Sequence, residues 1–372
     1  MKKTGLVMTG GGARAAYQAG VVRALYEITG KKTHLFDVIA GNSAGAINAS
    51  YYAGHSENWD VATQNLLQLW TRIKPANVYD VRTKSLSELG MKWLGGTIFG
   101  GLTAQGSHAN HLLDTTPLRK LIERESSLAH IQQNIDRGFL TGISLSTTNY
   151  STGSSVIFYQ GEESIPDWAR SDRFSVRCKL NEDHIMASAA IPFFFPPVKI
   201  EESFFGDGCI RQTTPLSPAI HLGADKIIAI GIRFPHEKEK MKELSFAAAK
   251  NPTLGQIVGV MLNAIFLDSL EGDYERLQKI NRLSGGQRTD QKQIPILMLR
   301  PSKDLGKLAK TLPEKLPPLL RYLLKGMGVS ETEGSDLLSY LAFDESYTKP
   351  LLELGYEDTL GRRDEVLKFF DA

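Results

Sequence analysis

The sequence is poor in cysteine, in net charge and in long apolar runs. Cys178 and Cys209 are the only two cysteines in 372 residues, too few for a disulfide framework or a cysteine-rich metal site. Lysine plus arginine (43) exceeds aspartate plus glutamate (41) by only two. The concentrated basic face that a nucleic-acid partner needs is therefore not expected. No stretch approaches the ~18 consecutive apolar residues of a membrane-spanning helix. The opening MKKTGLVMTGGG has only Leu6, Val7 and Met8 between its lysines and its glycines, short of the ~7–15-residue apolar core of a secretory signal. Internal repeats and low-complexity tracts are missing too. With 42% hydrophobic and 23% charged residues, the chain reads as globular and cytoplasmic.

What is present is clearest in the first fifty residues. Leu6-Val7-Met8 forms a short buried strand that stops at Gly10-Gly11-Gly12. Apolar residues at Ala16, Ala19, Val22 and Leu25 then recur at helical spacing over 13–28, and Gly30 supplies a C-terminal stop. Residues 35–40 read as a second strand and 44–53 as a second helix, a β–α–β–α order that implies a parallel sheet. Later strand signals lie at 138–144, 155–159, 226–230 and 294–299. A long helix is expected over 253–281, and amphipathic helices over 305–372. Residues 80–110 are apolar but heavy in glycine, which suits a loop.

Three consecutive glycines between a strand and a helix leave backbone N–H groups open to an anion. A phosphate-binding loop would end in lysine and serine or threonine, which this one does not. Residues 10–15 satisfy the loose dinucleotide pattern, but the second strand ends in Ala40-Gly41-Asn42-Ser43 without the acidic residue that would hold a ribose. The remaining use is an oxyanion hole made by Gly10, Gly11 and Gly12. Parallel strands present their carboxyl ends together, so a nucleophile at the end of the second strand would stand beside it. Gly41-Asn42-Ser43-Ala44-Gly45 matches the G-x-S-x-G nucleophile elbow. The similar Gly54–Asn58 lacks the second glycine.

Ser43 then needs a base. In an α/β-hydrolase, an acid and then a histidine would follow it, and His221 or His236 could complete such a triad. Asp207, between Gly206 and Gly208 after an apolar strand, is the better placed acid. A tight Asp-Gly hairpin turn would leave the same local pattern. A non-catalytic lipid-binding or nucleotide-binding protein remains the alternative from another class.

GGGAR at 10–14, GNSAG at 41–45 and GDG at 206–208, with ASAAIPFFFPPV at 187–198 and PLSPAIHLGADKIIAI at 215–230, resemble the patatin-like phospholipase family. The resemblance implies a three-layer α/β/α fold with a mainly parallel sheet, a catalytic domain over 5–231, helices and a final strand over 232–300, and a helical extension over 301–372. It implies hydrolysis of lipid acyl esters by a Ser43–Asp207 dyad, with an oxyanion hole from the 10–12 loop and no cofactor or metal. Arg14 would support that loop or meet a lipid phosphate; an exposed first-turn arginine is the plainer role. Phe193, Phe194, Phe195, Phe204 and Phe205 would wall an acyl pocket. Residues 93–102, or the helix around 254–270, would touch a membrane surface. Ala15 and Cys209 depart from the glycine-rich family pattern, and Cys209 would expose the site to thiol oxidation.

Overall fold

The computed structural model describes residues 2–80, 110–235, 251–284, 293–309, 316–329 and 334–371, together with 242 and 246. Its centre is a parallel sheet. Strand β1 (Thr4–Met8) lies between β2 (Val38–Asn42) and β9 (Lys226–Ile230), with β10 (Ile296–Leu299) outside β9 and β3 (Gly142–Asn149) outside β2. All four of these pairings are parallel. Beyond β3 the sheet becomes mixed. β4 (Ser155–Gly161) runs antiparallel to β3, β6 (Arg173–Arg177) parallel to β4, and β5 (Ala169–Arg170) closes the edge. β8 (Ser203–Asp207) pairs antiparallel with β7 (Val198–Ile200) and with the far end of β3.

The central strands are apolar on both faces because both are covered by helices. Leu6, Met8, Ile39, Ile228 and Ile230 enter one hydrophobic cluster, whereas Val7, Val38, Ala40, Ile227 and Ala229 enter the other. The period-2 alternation thus feeds two cores, giving the three-layer α/β/α arrangement. The larger core includes α1 (Ala16–Thr29), α2 (Ala44–Gly54) and α3 (Trp59–Arg72). It continues through Leu337, Tyr340 and Leu351 near the C-terminus.

Several boundaries differ from the sequence reading. The turn after the triple glycine is a 3₁₀ helix, Gly12–Ala15, and the α-helix starts only at Ala16. Leu35 and Phe36 are buried in the loop before β2 rather than in the strand, and β3 begins at Gly142. Gly30 does end α1 in the left-handed region, with φ 64°. By length and composition the helix Leu254–Ser284 is apolar enough to cross a membrane, with a mean hydropathy of 1.3. Here its inner face (Leu262, Phe266, Leu270 and Leu277) is packed against the sheet layer instead.

α1 and the helix Glu345–Leu360 touch backbone to backbone. A Cβ on Gly20 would stand 2.0 Å from the Leu352 carbonyl oxygen, and one on Gly355 would stand 2.2 Å from that of Tyr17. Helix propensity alone favours Gly→Ala by roughly 1 kcal/mol, but the crossing leaves no room for a methyl. Gly355→Ala is therefore expected to destabilise the fold by about 1–3 kcal/mol through overpacking. Urea unfolding measures this, and an unchanged or raised midpoint would exclude the close crossing.

Candidate active site

One edge of β3 is used twice. β2 pairs along it as far as Asn42 opposite Ser146, and β8 arrives from the other direction with Asp207 opposite Thr147. The two strands meet end to end on adjacent β3 residues and both turn away there. The residue after β2 is Ser43 and the last residue of β8 is Asp207, so the register alone brings them together. The Ser43 Oγ donates to Asp207 Oδ2 at 2.6 Å, with Ser43 1% and Asp207 0% exposed.

Each small residue of the elbow has a steric reason. Ser43 has φ 55° and ψ −130°, a conformation that L-residues rarely adopt. It turns the chain from β2 directly into α2. A Cβ on Gly45 would meet the Met8 carbonyl oxygen at 2.3 Å, and one on Gly41 would meet Ala49 Cβ at 2.6 Å. Gly45 thus permits α2 to start against the end of β1, and Gly41 lets α2 pack back over the end of β2. The Ser43 amide donates to Ser188 Oγ, which donates in turn to the Ser146 carbonyl.

Asp207 is not in a hairpin turn. It ends β8 and caps the 3₁₀ helix Gly208–Ile210, its Oδ1 accepting from the Cys209 amide at 2.9 Å. Thr148 Oγ1 holds its carbonyl, and Gly208 lies so close to Ser146 that a Cβ would sit 2.1 Å from that carbonyl oxygen. Burial raises the Asp207 pKa from 3.8 to about 7, opposed by the hydrogen bonds from Ser43 and Cys209. A carboxylate with that affinity for protons can accept one from a serine hydroxyl near neutral pH.

The glycine loop lies across from this pair. Gly11 has φ 158° and Gly12 φ 55°. Neither amide donates to a carbonyl of the described residues, so both can serve a developing oxyanion. Gly10 is packed shut: a Cβ there would lie within 3.0 Å of Ser43, Cys209 and Phe266. That contact leaves no approach for a pyrophosphate over Gly10.

Arg14 is neither exposed nor open to solvent. It is 3% exposed, its Nε donates to Ser339 Oγ at 2.7 Å, and its Nη2 pairs with Asp336 Oδ1 at 2.8 Å. Its guanidinium also lies 4.4 Å from the Tyr340 ring centroid. Gly12 meets the same segment, since a Cβ there would sit 2.1 Å from the Tyr340 carbonyl oxygen. Arg14 thus fastens the glycine loop to the helix Ser335–Leu341. No local pattern in 335–343 signals this role from sequence.

Beside Ser43 and Gly12 opens an apolar pocket lined by Ile47, Leu69, Ile73, Val78, Phe195 and Phe343, among others. Of the five phenylalanines expected to wall it, only Phe195 does so. Phe194 and Phe205 belong to the core, and Phe193 and Phe204 are 55% and 49% exposed. His221 stacks on Trp168 at 4.8 Å with an 8° interplanar angle, and makes no hydrogen bond to Ser43 or Asp207. His236 and residues 93–102 lie outside the described residues. Among the described residues no cluster of His, Cys, Asp and Glu could hold a metal ion.

The patatin-like phospholipase family model matches residues 6–220, more than half the chain. Among solved structures, the type III effector protein ExoU aligns at 15% identity and TM-score 0.33, over 98% of this chain and 54% of its own. VipD from Legionella pneumophila aligns at 14% and 0.32, over 95% and 67%. Human GIVD cytosolic phospholipase A2 aligns at 13% and 0.46, over 99% and 59%. The chain thus spans about half to two thirds of the length of these structures.

The pKa of Asp207 has a consequence for stability as well. A carboxyl of folded pKa about 7 against an intrinsic 3.8 stabilises the fold fully below about pH 4. That contribution is lost as pH rises through 7. Asp207→Asn has no proton to lose, so its Tm should gain on that of the wild type between pH 4 and pH 8. Thermal melts across this range test it, and a Tm difference independent of pH would contradict a buried, upshifted carboxyl.

Proposed function

Because the chain belongs to the patatin-like phospholipase family, we propose that it hydrolyses carboxylic esters of lipids through a Ser43–Asp207 dyad. The observation that carries this reading is the 2.6 Å hydrogen bond between the two side chains, at the mouth of an apolar pocket. Ser43 Oγ attacks the ester carbonyl as Asp207 takes its proton, and the Gly11 and Gly12 amides stabilise the oxyanion. Asp207 returns the proton to the leaving alcohol, then removes one from the water that releases the fatty acid from Ser43. The acyl chain lies in the pocket lined by Ile47, Leu69, Ile73 and Phe195. The activity classes in view are phospholipase A, lysophospholipase and lipase.

Lipid substrates reach such a site from an aggregate surface. On the outer face of the helix Leu254–Ser284, Leu254, Ile257, Val260 and Met261 are exposed at 46–67% and form one apolar stripe at helical spacing. Phe266 of the same helix packs at Gly10. This supports a transient membrane-surface contact close to the site. Both cysteines are free, in keeping with a reducing, cytoplasmic setting.

A fluorophosphonate probe should label Ser43 and nothing else in the active site, and Ser43→Ala should abolish both labelling and ester turnover. In the wild type, kcat/KM should fall as pH drops through about 7, where Asp207 gains its proton. Asp207→Asn should lose on the order of 10²–10⁴-fold in kcat. Full turnover in Ser43→Ala, or in Asp207→Asn, would remove the dyad.

A further inference from the structure

The apolar pocket beside Ser43 is small. Its volume is about 30 Å³, room for two or three water-sized groups, and a long fatty acyl chain does not fit in it. Two more cavities lie behind it. One, of about 20 Å³, has Leu66, Ile122 and Ile185 in its lining. The other is a polar chamber of about 490 Å³. Asn65, Gln68, Arg72 and Arg124 line that chamber and are exposed, so it opens to solvent. Leu69 and Leu121 line all three cavities, and Ile73 lines both the pocket and the chamber. The partition is thus one layer of side chains thick. Helical spacing along α3 explains it: Leu66, Leu69 and Ile73 fall on one stripe, and Asn65, Gln68 and Arg72 on the stripe beside it. The first stripe faces the apolar cavities and the second faces the chamber. Leu121 closes the gap from the facing helix Thr116–Glu125. It is 8% exposed, whereas Leu69 is half-buried.

We infer that Leu69, Ile73 and Leu121 form an end wall that sets the acyl length the site accepts, favouring esters of short acyl groups over long ones. The inference rests on the Ser43 reading above and narrows its substrate class. A methylene that finds an apolar seat in the pocket is worth about fourfold in kcat/KM. One that must displace the wall forfeits that gain and adds overpacking. Truncating a wall leucine joins the pocket to the cavity lined by Leu66 and Ile122, and beyond that to the chamber. A longer chain then has an apolar seat for its next methylenes and solvent for its end.

The test measures kcat/KM for p-nitrophenyl acetate, butyrate, octanoate and dodecanoate in monomeric solution. It compares wild type, Leu121→Ala, Leu69→Ala, Gln68→Ala and Ser43→Ala in the full chain. Wild type should turn over acetate or butyrate best. In Leu121→Ala the octanoate-to-butyrate ratio should rise by about tenfold or more, as expected when two further methylenes are seated. Leu69→Ala should move the ratio in the same direction. Gln68→Ala widens the chamber without breaching the wall and should keep the wild-type ratio. A wild type that prefers dodecanoate, or leucine variants with an unchanged ratio, would overturn the inference. An equal loss at every chain length marks a merely structural role and overturns it too, as does an equal rise in Gln68→Ala. Should Leu121→Ala fail to fold, Leu69→Ala at its half-buried position decides alone. Turnover in Ser43→Ala would refute the dyad itself, whereas an inert Ser43→Ala beside unshifted leucine variants would refute only the wall.

Discussion

The site depends on how one edge of one strand is shared. β3 offers its hydrogen-bonding groups first to β2 and then to β8, and the handover falls between Ser146 and Thr147. Because β2 runs parallel to β3 and β8 antiparallel, their ends point at each other. Ser43 leaves one end and Asp207 forms the other, so ladder hydrogen bonds, not flexible side chains, set their separation. A shift of one residue in either register would turn a side chain to the opposite face of the sheet. The residues around the handover are small or polar for this reason. Gly208 allows close approach to the Ser146 carbonyl, while Ser188 bridges that carbonyl to the Ser43 amide.

The glycine loop has its own support, and much of it comes from outside the segment that matches the family. Residues 6–220 carry Ser43, Asp207 and the glycine loop, yet Arg14 and Gly12 are held by Asp336, Ser339 and the backbone of Tyr340. Phe343 then lines the apolar pocket. A buried guanidinium without such partners would cost several kcal/mol, so Arg14 requires the helix Ser335–Leu341 as much as that helix positions the loop. The segment after residue 300 is thereby a structural part of the site rather than an appendage.

Sequence reasoning reached the elements whose signals are local. The β–α–β–α order, the Gly30 stop, the elbow and the anion-receptive loop all follow from spacing and steric freedom within a few residues. It also paired Ser43 with Asp207, though through the resemblance among five motifs, because strand register over 164 residues of separation leaves no local trace. What it could not reach were contacts between distant segments. For Arg14, loop support, a lipid phosphate and an exposed first-turn role all stayed open, because its partners lie 322 and 325 residues away. The phenylalanine wall failed for a related reason. A run of aromatic residues shows apolar character without showing which ring faces a cavity, and neighbouring rings at 193–195 went to the solvent, the core and the pocket.

In the proposed dyad, burial of Asp207 joins function to stability. A carboxylate is a poor base toward serine because its ordinary pKa is near 3.9, and the desolvation that corrects this makes the ionised form costly in the fold. The surroundings moderate the cost without cancelling it. Ser43 and the Cys209 amide both donate to the carboxylate, and each donor makes the charged form more stable and the base weaker. A carboxyl with both donors and no burial would be an acid with little use as a base. One with burial and no donors would stay protonated at neutral pH. A midpoint near 7 reflects both, so the enclosing side chains and the two donors act as one device.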